Sequence, residues 1–502
     1  MSYILALDEG TTSCRGIVFD LNGQCHGVAQ QEFEQIFPQP GWVEHDATEI
    51  FAKQAEMAKE AIQKAGIGPS DIAGIGITNQ RETVVLWDRR TGKPIYNAIV
   101  WQDRRTAEMM KRWSGGGNDQ MVRDKTGLLI DTYFCASKLA WLLENIEGAR
   151  AAAEAGHLAF GTIECWLLWN LTDGKVHATD ESNACRTLLY NIHSRQWDED
   201  LLSLFDIPAA LLPEVVPCSG EFGTTTTLGG TIPIRGMIGD QQAALFGQAC
   251  VQPGMAKSTF GTGCFLLLNT GEQPMVSQNN LLTTIAWSTA DGICNYALEG
   301  SVFMGGATIQ WLRDGLGIIK SAVDVNALAA SVPDSGGVVL VPAFAGLGAP
   351  YWDAWARGSI LGMTRGSTSA HIARAALEGI AFTVYDVLQS MKEDSGIALS
   401  EVRVDGGAAA SDLLMQIQAD LLNVEVLRPT LLETTAFGAA GMAALAAGLL
   451  AGPESMGEHW NLDRKFEPDM DSDNRERMLK QWQQGISRAR CWAGEEGNSD
   501  ES

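Results

Sequence analysis

The sequence lacks the short motifs that build many metal and nucleotide sites. Its ten cysteines occur singly, with no Cys-x-x-Cys pair, and its seven histidines show no metal-ligand spacing, so neither a zinc site nor a disulfide framework is expected. It contains no Gly-x-x-x-x-Gly-Lys-[Ser/Thr] segment, which excludes a P-loop, and no protein-kinase glycine-rich loop or His-Arg-Asp segment. Any phosphate chemistry must therefore use other glycine turns.

The sequence is also poor in positive charge. It has 36 Lys and Arg against 61 Asp and Glu, a formal net charge of −25, which argues against nucleic acid and anionic membranes as partners. One long stretch, 434–452, has no charged residue and is dominated by alanine and glycine. It predicts a buried helix packed closely on a neighbour, and no membrane insertion is expected.

The bulk composition describes a globular protein with two domains. The 502 residues exceed what one hydrophobic core usually serves, and 45% of them are apolar while 19% are charged. The first apolar segment leads directly into Asp8, so no signal peptide is expected. Together with the scattered cysteines, this predicts a reducing, cytoplasmic setting.

The first glycine turn is the segment with the clearest chemistry. Asp8-Glu9-Gly10-Thr11-Thr12-Ser13 joins two short apolar runs, which predicts a β-hairpin. Backbone N–H groups in such a turn can form an anion-binding nest, hydroxyls add donors, and the carboxylate can hold Mg²⁺. An ordinary tight hairpin is the alternative.

The same pattern recurs near mid-chain, which predicts a duplicated domain. Apolar strands flank Gly261-Thr262-Gly263, so two phosphate-binding hairpins would face each other across a cleft. A third glycine turn, Asp405-Gly406-Gly407, follows a short strand and opens a helix. Unpaired N–H groups at that helix start could bind an anion or a nucleotide.

Apolar periodicity predicts the remaining elements. We expect strands at 24–34, 72–77 and 83–87, an edge strand or loop at 224–227, and helices at 46–66, 103–113, 136–145, 161–171, 240–248, 302–312, 369–391 and from 411 onward. Helices interleaved with strands indicate an α/β layered architecture.

Two polar groups at predicted strand ends could carry chemistry. Asp240 follows a strand and begins a helix, a position that favours an ionised general base, although it could merely cap its helix. Arg81 and Glu82 place donors and acceptors side by side, as a polyol needs, although they could form a surface ion pair. Trp101 and Phe265 could supply an apolar wall or belong to the core.

These segments resemble the FGGY carbohydrate kinases, within the actin/sugar-kinase/Hsp70-like ATPase group, and most of all the glycerol-phosphorylating members. The resemblance is carried by residues 7–13, 76–83, 97–102, 239–247, 260–265 and 346–352. It implies two duplicated RNase H-like domains, at 1–247 and 248–490, with a cleft between them. It also implies ATP-dependent, Mg²⁺-assisted phosphoryl transfer to glycerol, and a homo-oligomer, dimer or tetramer. Separately, the small, polar and acidic residues at the end of the chain predict a disordered tail at 491–502.

The resemblance also implies roles for individual residues. Glycerol would be bound by Arg81, Glu82, Trp101, Tyr133, Asp240, Gln241 and Phe265, with Asp240 as the base. Asp8 would organise Mg²⁺, and the nucleotide would be held by Thr11, Thr12, Ser13, Arg15, Thr262, Gly306, Gln310, Gly407 and Ser411. Close relatives often have Asn where Ser411 stands, and the shorter side chain here would alter the nucleotide contact.

Two alternatives stay open at this point. A sister kinase of the same family would phosphorylate a sugar or sugar acid such as xylulose or gluconate. A non-kinase ATPase of the actin/Hsp70 group would need a peptide-binding domain or a filament surface, and the chain after residue 445 is too short for the former.

Overall fold

The computed structural model of the protein describes residues 2–494. Its first half contains the strands β1 (Tyr3–Glu9), β2 (Ser13–Asp20), β3 (Cys25–Glu32), β4 (Glu44–His45), β5 (Ile72–Asn79), β6 (Val85–Asp88), β7 (Lys93–Pro94), β8 (Ala98–Ile99), β9 (Leu158–Gly161), β10 (Ala178–Asp180), β11 (Tyr190–Asn191), β12 (Gln196–Trp197), β13 (Glu214–Val216), β14 (Thr224–Thr225) and β15 (Ile232–Gly239). Its helices are α1 (Ala47–Ala65), α2 (Ala107–Trp113), α3 (Asn118–Thr126), α4 (Cys135–Asn145), α5 (Ala149–Glu154), α6 (Ile163–Leu171), α7 (Glu181–Ala184), α8 (Glu199–Phe205) and α9 (Asp240–Gly247).

The second half continues the same mixture of strands and helices. Its strands are β16 (Met255–Phe260), β17 (Cys264–Gly271), β18 (Leu282–Ser288), β19 (Cys294–Val302), β20 (Val339–Val341), β21 (Ser359–Leu361), β22 (Glu401–Asp405), β23 (Glu425–Pro429) and β24 (Leu462–Phe466). Its helices are α10 (Gly306–Asp314), α11 (Asp324–Ala329), α12 (Ser369–Ser395), α13 (Asp412–Leu422), α14 (Thr434–Ala446), α15 (Met456–His459) and α16 (Ser472–Ala489).

Each half builds one large sheet with the same pairing scheme. The strand orders are β14-β15-β5-β1-β2-β3 and β18-β19-β17-β16-β22-β23-β24. β1 pairs antiparallel with β2 and parallel with β5, and β16 likewise pairs antiparallel with β17 and parallel with β22. This repetition confirms the predicted α/β fold with two duplicated domains. The boundary near residue 248, which falls between α9 and β16, stays a proposal.

Two helices join the halves. α9 packs against β15 of the first sheet and against β16, β17 and β18 of the second, while α14, from the second half, packs on α9 and covers β1, β5 and β15. Glycine permits this close approach, because a Cβ on Gly438 would lie 1.9 Å from the Ala243 carbonyl oxygen and one on Gly76 would lie 2.1 Å from that of Ala439. The predicted buried, closely packed helix is therefore confirmed, and it ends at Ala446.

Capping residues that are visible in the sequence correctly predicted the two ends of α1. The Asp46 side chain caps α1 by accepting from the N–H groups of Thr48 and Glu49, and Gly66 ends the helix in the left-handed conformation, with φ 69°. Asp and Gly are favoured at these two positions for those reasons. The third glycine turn differs, since a 3₁₀ turn (Gly407–Ala410) precedes α13, which is capped by Ser411.

Two predicted helix starts are wrong. Val302 ends the strand β19, and α10 begins only at Gly306. That strand was missed because every residue in it is buried, so its sequence shows no alternation of polar and apolar side chains. Asp103 precedes α2 because its carboxylate binds the Val43 N–H and the Arg105 side chain, which holds the chain in a turn.

The start of the predicted disordered tail is also corrected. Residues 491–494 form a turn in which the Cys491 N–H donates to Asp353 at 2.8 Å and the Ala493 N–H to the Trp355 carbonyl at 3.0 Å. The rest of the predicted tail, 495–502, lies outside the described residues. Within residues 2–494, no helix has the length and apolarity needed to cross a membrane.

Candidate active site

A buried charge cluster joins the two halves beside the loop that follows β5. The Nη1 and Nη2 atoms of Arg81 donate to the two carboxylate oxygens of Glu299, on β19, at 2.6 and 2.8 Å. Arg186 donates to the same carboxylate at 3.1 Å and to Glu82 at 2.6 Å. The side chains of these four residues are at most 1% exposed. The surface ion pair considered for Arg81 and Glu82 is therefore wrong.

The cluster keeps its central carboxylate ionised. Burial would raise the pKa of Glu299, but the guanidinium groups of Arg186 and Arg81 lower it to about 2. Burial raises the pKa of Glu82, against the lowering effect of the same two arginines. Glu82 also has a positive φ of 60°, a conformation that few non-glycine residues adopt. Arg81 is thus fixed in place by charge before any substrate arrives.

Asp240 is held by Arg81 on one side and open on the other. Its Oδ1 lies 3.1 Å from Arg81 Nε and accepts from the Gln241 backbone N–H at 2.7 Å, while 28% of its side chain is exposed. The N-cap of α9 is Gly239, so the interpretation of Asp240 as a helix cap alone is wrong. Burial raises the pKa of Asp240, although the Arg81 charge lowers it. A carboxylate placed in this way can accept a hydrogen bond from a substrate hydroxyl.

Aromatic side chains border this carboxylate and arginine. The Tyr133 hydroxyl lies 3.5 Å from Arg81 Nη2, and burial raises the pKa of this phenol. The Trp101 ring meets Tyr133 edge-on with 5.7 Å between ring centroids. Trp101 Nε1 also donates to the Thr11 hydroxyl at 3.0 Å. Trp101 therefore connects the predicted glycerol residues to the first glycine turn.

The second sheet presents one polar face to the same place. Thr259 is the cross-strand partner of Phe265, and Leu267 is the partner of both Lys257 and Glu299. Because side chains alternate along strands, Lys257, Phe265 and Glu299 share a face. Lys257 Nζ donates to Gln241 Oε1 at 2.5 Å. The structure thus brings Phe265 and Gln241 to the edge of the Arg81 cluster.

The first glycine turn keeps its predicted form. Asp8, at the end of β1, is 6% exposed, and burial raises its pKa to about 6, although the Arg15 charge lowers it. Arg15 Nη1 lies 3.6 Å from Asp8 and 2.5 Å from Glu433, just before α14. Thr12 is exposed, while the Ser13 hydroxyl accepts from Gln30 at 3.0 Å. Of the predicted phosphate ligands in this turn, the side chains of Thr11, Ser13 and Arg15 therefore already have protein partners.

The second and third glycine turns lie next to each other. The Gly306 N–H, at the start of α10, donates to the Gly261 carbonyl at 2.8 Å, and the Thr262 carbonyl accepts from two further N–H groups. A Cβ on Gly306 would lie 3.8 Å from the Ala408 methyl group, while one on Gly407 would meet no atom within 4 Å. Gln310 is exposed on α10. These turns therefore border open space in which a ligand could lie.

Ser411 has a structural role in addition to the predicted one. Its hydroxyl accepts from the Leu414 N–H at 3.1 Å and is hydrogen-bonded to the Asn326 side chain. With 5% exposure, it caps α13 beneath the third glycine turn. Direct contact between Ser411 and a nucleotide stays a prediction.

Sequence reasoning missed Glu299, Lys257 and Arg186. Each is a fully buried charge, and two of them are the only charged residues in otherwise uncharged strands, Cys294–Val302 and Met255–Phe260. A charge inside such a strand must find a partner, because an unpaired buried charge is costly. A single charge in an otherwise uncharged strand was therefore the available signal for Glu299 and Lys257. The sequence could not indicate which residue would pair with each of them.

The acidic residues of the site do not form a preassembled metal centre. Among residues 2–494, no group of three or more His, Cys, Asp or Glu side chains is placed to hold a metal ion. Asp8 and Asp240 nevertheless lie close enough for the Asp240 carboxylate to raise the pKa of Asp8. Mg²⁺ is usually held by one or two carboxylates together with substrate phosphates and water, and this donor set fits it.

The chain matches two family models and many known proteins. Residues 3–247 match the N-terminal domain, and residues 256–447 the C-terminal domain, of the FGGY family of carbohydrate kinases. The chain is 59% identical over 494 residues to the glycerol kinase of Aromatoleum aromaticum, covering 98% of this chain and 99% of that one. It is 56% identical over 493 residues to the glycerol kinase of Burkholderia ambifaria, covering 98% of each.

A solved structure agrees with these matches. The crystal structure of Plasmodium falciparum glycerol kinase with ADP superimposes with a TM-score of 0.92 and 36% identity, covering 97% of this chain and 98% of that one. Two family models that together span most of the chain, and relatives well above 50% identity along its length, lead to one conclusion. The chain belongs to the FGGY family of carbohydrate kinases.

Proposed function

We propose that the protein transfers the terminal phosphoryl group of ATP to a terminal hydroxyl of glycerol, giving sn-glycerol 3-phosphate and ADP. The observation that carries the proposal is the arrangement of Arg81 and Asp240. Arg81 is buried and already fixed by Glu299, and it holds the carboxylate of Asp240, which stays partly exposed. The names of the relatives, glycerol kinases at 56–59% identity, support the same substrate.

The site suits a small polyol. Each buried hydroxyl must both donate and accept a hydrogen bond. Arg81 and Tyr133 can donate to hydroxyl oxygens, while Glu82 and Asp240 can accept their hydrogens. Trp101 and Phe265 would pack against the carbon chain. A small pocket closed by Trp101 and Phe265 would disfavour a longer sugar or sugar acid.

Asp240 would act as the general base. As the substrate oxygen forms its bond to the γ-phosphorus and the bond to the ADP oxygen breaks, the hydroxyl proton passes to an Asp240 carboxylate oxygen. Phosphoryl transfer otherwise needs alignment and charge neutralisation more than covalent help. Arg81 would hold the carboxylate and the substrate in line.

The nucleotide would lie along the three glycine turns. Thr11, Thr12, Ser13, Arg15 and Thr262 would bind its phosphates, and Gly306, Gln310, Gly407 and Ser411 would line the rest of its pocket. Asp8 would hold Mg²⁺, with or without an intervening water molecule. The ion would neutralise phosphate charge, which matters in a protein with a net charge of −25.

A substrate panel tests this proposal. Purified protein with ATP and Mg²⁺ is offered glycerol, xylulose, gluconate or no acceptor, and ADP release is measured while the phosphorylated product is identified by NMR. We expect glycerol to give the highest kcat/KM and sn-glycerol 3-phosphate as product. A preference for xylulose or gluconate would establish the sister kinase instead, and equal ATP consumption without acceptor would establish the ATPase.

Two further proposals concern the whole protein. We infer a homo-oligomer, dimer or tetramer, from the resemblance to the family, and a cytoplasmic location from the ten single, scattered cysteines. Light scattering coupled to size-exclusion chromatography tests the first. A mass close to 54.0 kDa, that of one chain, would contradict it.

A further inference from the structure

Lys257 is a buried cation in the site that the proposed chemistry does not use. It lies on β16 of the second sheet and is 0% exposed. Its Nζ donates to Gln241 Oε1 at 2.5 Å and to the Thr259 hydroxyl at 3.0 Å. Gln241 belongs to α9, at the end of the first sheet, so this contact crosses between the two halves.

Among residues 2–494, the hydrogen-bond acceptors of this cation are neutral oxygens and not carboxylates. Burial lowers the pKa of Lys257 to about 8, and the charges of Asp405, Asp240 and Glu299 oppose that shift. A buried ammonium is costly unless it is hydrogen-bonded and compensated. Neutral oxygens therefore provide its hydrogen bonds while more distant carboxylates balance its charge.

The contact with Lys257 determines which way the Gln241 amide points. An ammonium group has three donors and no acceptor. Only the oxygen of the amide can face it, because the NH₂ group would place two donors against each other. Gln241 Nε2 is consequently turned away from Lys257, so this side chain can offer the cleft only an N–H donor.

An N–H donor at this position determines the role of a hydroxyl beside it. A hydroxyl group has one hydrogen to donate and two lone pairs that accept. Where its oxygen accepts from Gln241, its own hydrogen remains free for the neighbouring carboxylate of Asp240. The chain of donors would then run from Lys257 through Gln241 and the substrate to Asp240.

We propose that Lys257 is a positioning residue that sets the direction of the hydrogen bonds between Gln241, a substrate hydroxyl and Asp240. The inference rests on the proposed phosphorylation of glycerol, because it concerns how that substrate is oriented. Lys257 itself touches neither the substrate nor the phosphates in this account. It acts only through the Gln241 side chain.

A double-mutant cycle tests this dependence. Wild type, Lys257→Met, Gln241→Ala and the double variant are compared by kcat/KM for glycerol at saturating ATP. We expect Lys257→Met to lower this ratio about 10- to 100-fold, chiefly by raising the KM for glycerol, with the KM for ATP unchanged. The double variant should be no worse than Gln241→Ala alone. If the losses of kcat/KM in the two single variants multiply in the double variant, Lys257 acts independently of Gln241, and the proposal is overturned.

A second variant tests the direction of the hydrogen bond even if Lys257→Met does not fold. Gln241→Glu keeps an oxygen for Lys257 but removes the N–H donor, so it should lose glycerol affinity about as much as Gln241→Ala while keeping the melting temperature. A near-normal KM for glycerol in Gln241→Glu would overturn the proposal as well.

The matched control removes a lysine from the same sheet. Lys465, on the edge strand β24, is 37% exposed and paired with Glu425 and Glu467, so Lys465→Met should leave the kinetics unchanged. Wild-type protein that does not phosphorylate glycerol at all would contradict the proposed function itself. Activity in wild type with multiplicative losses would contradict only the role of Lys257.

Discussion

At the scale of single residues, the site is built by charges that pair between the two halves. Arg81 and Glu299 are 218 residues apart in the chain and meet in a bidentate pair. Bidentate arginine–carboxylate pairs fix direction as well as distance. Arg81 therefore presents its Nε to Asp240 in a single orientation, before glycerol or ATP is bound.

Replacing Arg81 should weaken glycerol binding more than turnover. Its contacts exist before the reaction as well as during it, so loss of a charged hydrogen-bond donor in Arg81→Ala should raise the KM for glycerol about 10- to 100-fold, with a smaller fall in kcat. Steady-state kinetics with varied glycerol measures both values.

The control for this prediction is another arginine beside the same sheet. Arg235, on β15, is 25% exposed and pairs with Glu221, so Arg235→Ala should leave the KM for glycerol unchanged. An unaltered KM in folded Arg81→Ala, or an equal rise in both variants, would exclude a direct role for Arg81 in binding.

The site residues that were predicted from the sequence lie at different places in the sheets from those that were not. Asp240 and Arg81 stand where predicted strands end, and strand ends in α/β sheets are where ligands bind. Glu299 and Lys257 lie inside strands, where only the folded chain shows which group faces them. Arg186 follows α7, and its partners come from two distant segments.

At the scale of elements, helices α9 and α14 connect the site to the rest of the fold. α9 begins with Asp240, and α14 begins one residue after Glu433, the partner of Arg15. The two helices touch where Gly438 meets the Ala243 carbonyl. A change in their separation would therefore move both the proposed base and a proposed phosphate ligand.

A methyl group at this contact should be destabilising. The Cβ of Gly438→Ala would lie 1.9 Å from a backbone oxygen, which forces the helices apart and should lower the free energy of unfolding by at least about 1–3 kcal/mol. Urea denaturation of both proteins measures the difference. Gly457→Ala is the control, because a Cβ at that position in α15 meets no atom within 4 Å. Equal stability of the Gly438→Ala variant and wild type would contradict the packing described.

A half-buried carboxyl on α12, that of Asp386, should make stability depend on pH. Asp386 accepts from Trp482 Nε1 at 2.7 Å and from the Tyr351 hydroxyl at 2.9 Å, and burial raises its pKa to about 7. Since the folded state holds this proton more tightly than the unfolded state, its contribution is complete below about pH 4 and is lost as the pH rises through 7.

The variant Asp386→Asn isolates this contribution, because it keeps an acceptor oxygen but cannot ionise. The free energy of unfolding of wild type minus that of the variant should fall by about 1.4 kcal/mol per pH unit between pH 4 and 7 and then level off. Urea denaturation at several pH values gives this difference. A difference that stays constant with pH would show that Asp386 does not hold its proton in the folded state.

Element prediction succeeded where one residue type decides the local structure. Asp46 and Gly66 bound α1 through capping interactions that are visible in sequence. β19 was not predicted, because uniform burial leaves no periodic pattern and Glu299 interrupts the apolar run. The alanine and glycine content of 434–452 predicted a closely packed helix. Only the structure shows that this helix, α14, packs on the first sheet.

At the scale of the whole molecule, the repeated sheets place one glycine hairpin on each half, β1–β2 on the first and β16–β17 on the second. The predicted ligands of both substrates are distributed over both halves, with Arg81 and Asp240 on one and Phe265, Thr262 and Gly407 on the other. Duplication was visible in the sequence as two similar hairpins. The charge pairs that bridge the halves became visible only in the structure.

Binding of both substrates should draw the halves together. Glycerol with a non-hydrolysable ATP analogue and Mg²⁺ should reduce the radius of gyration measured by small-angle scattering more than either ligand alone, because each ligand would contact both halves. The protein with xylulose and the same analogue serves as the control. An unchanged radius with both ligands bound at saturation would contradict domain closure.

The central claim is that Asp240 is the base for phosphoryl transfer, and the turnover of Asp240→Asn tests it most directly. Asn keeps the size of Asp and much of its hydrogen bonding, but it cannot take the hydroxyl proton. With folding checked by circular dichroism, kcat for glycerol phosphorylation should fall about 10²- to 10⁴-fold, with the KM for ATP little changed. A folded Asp240→Asn enzyme that retains near-normal turnover would contradict the account.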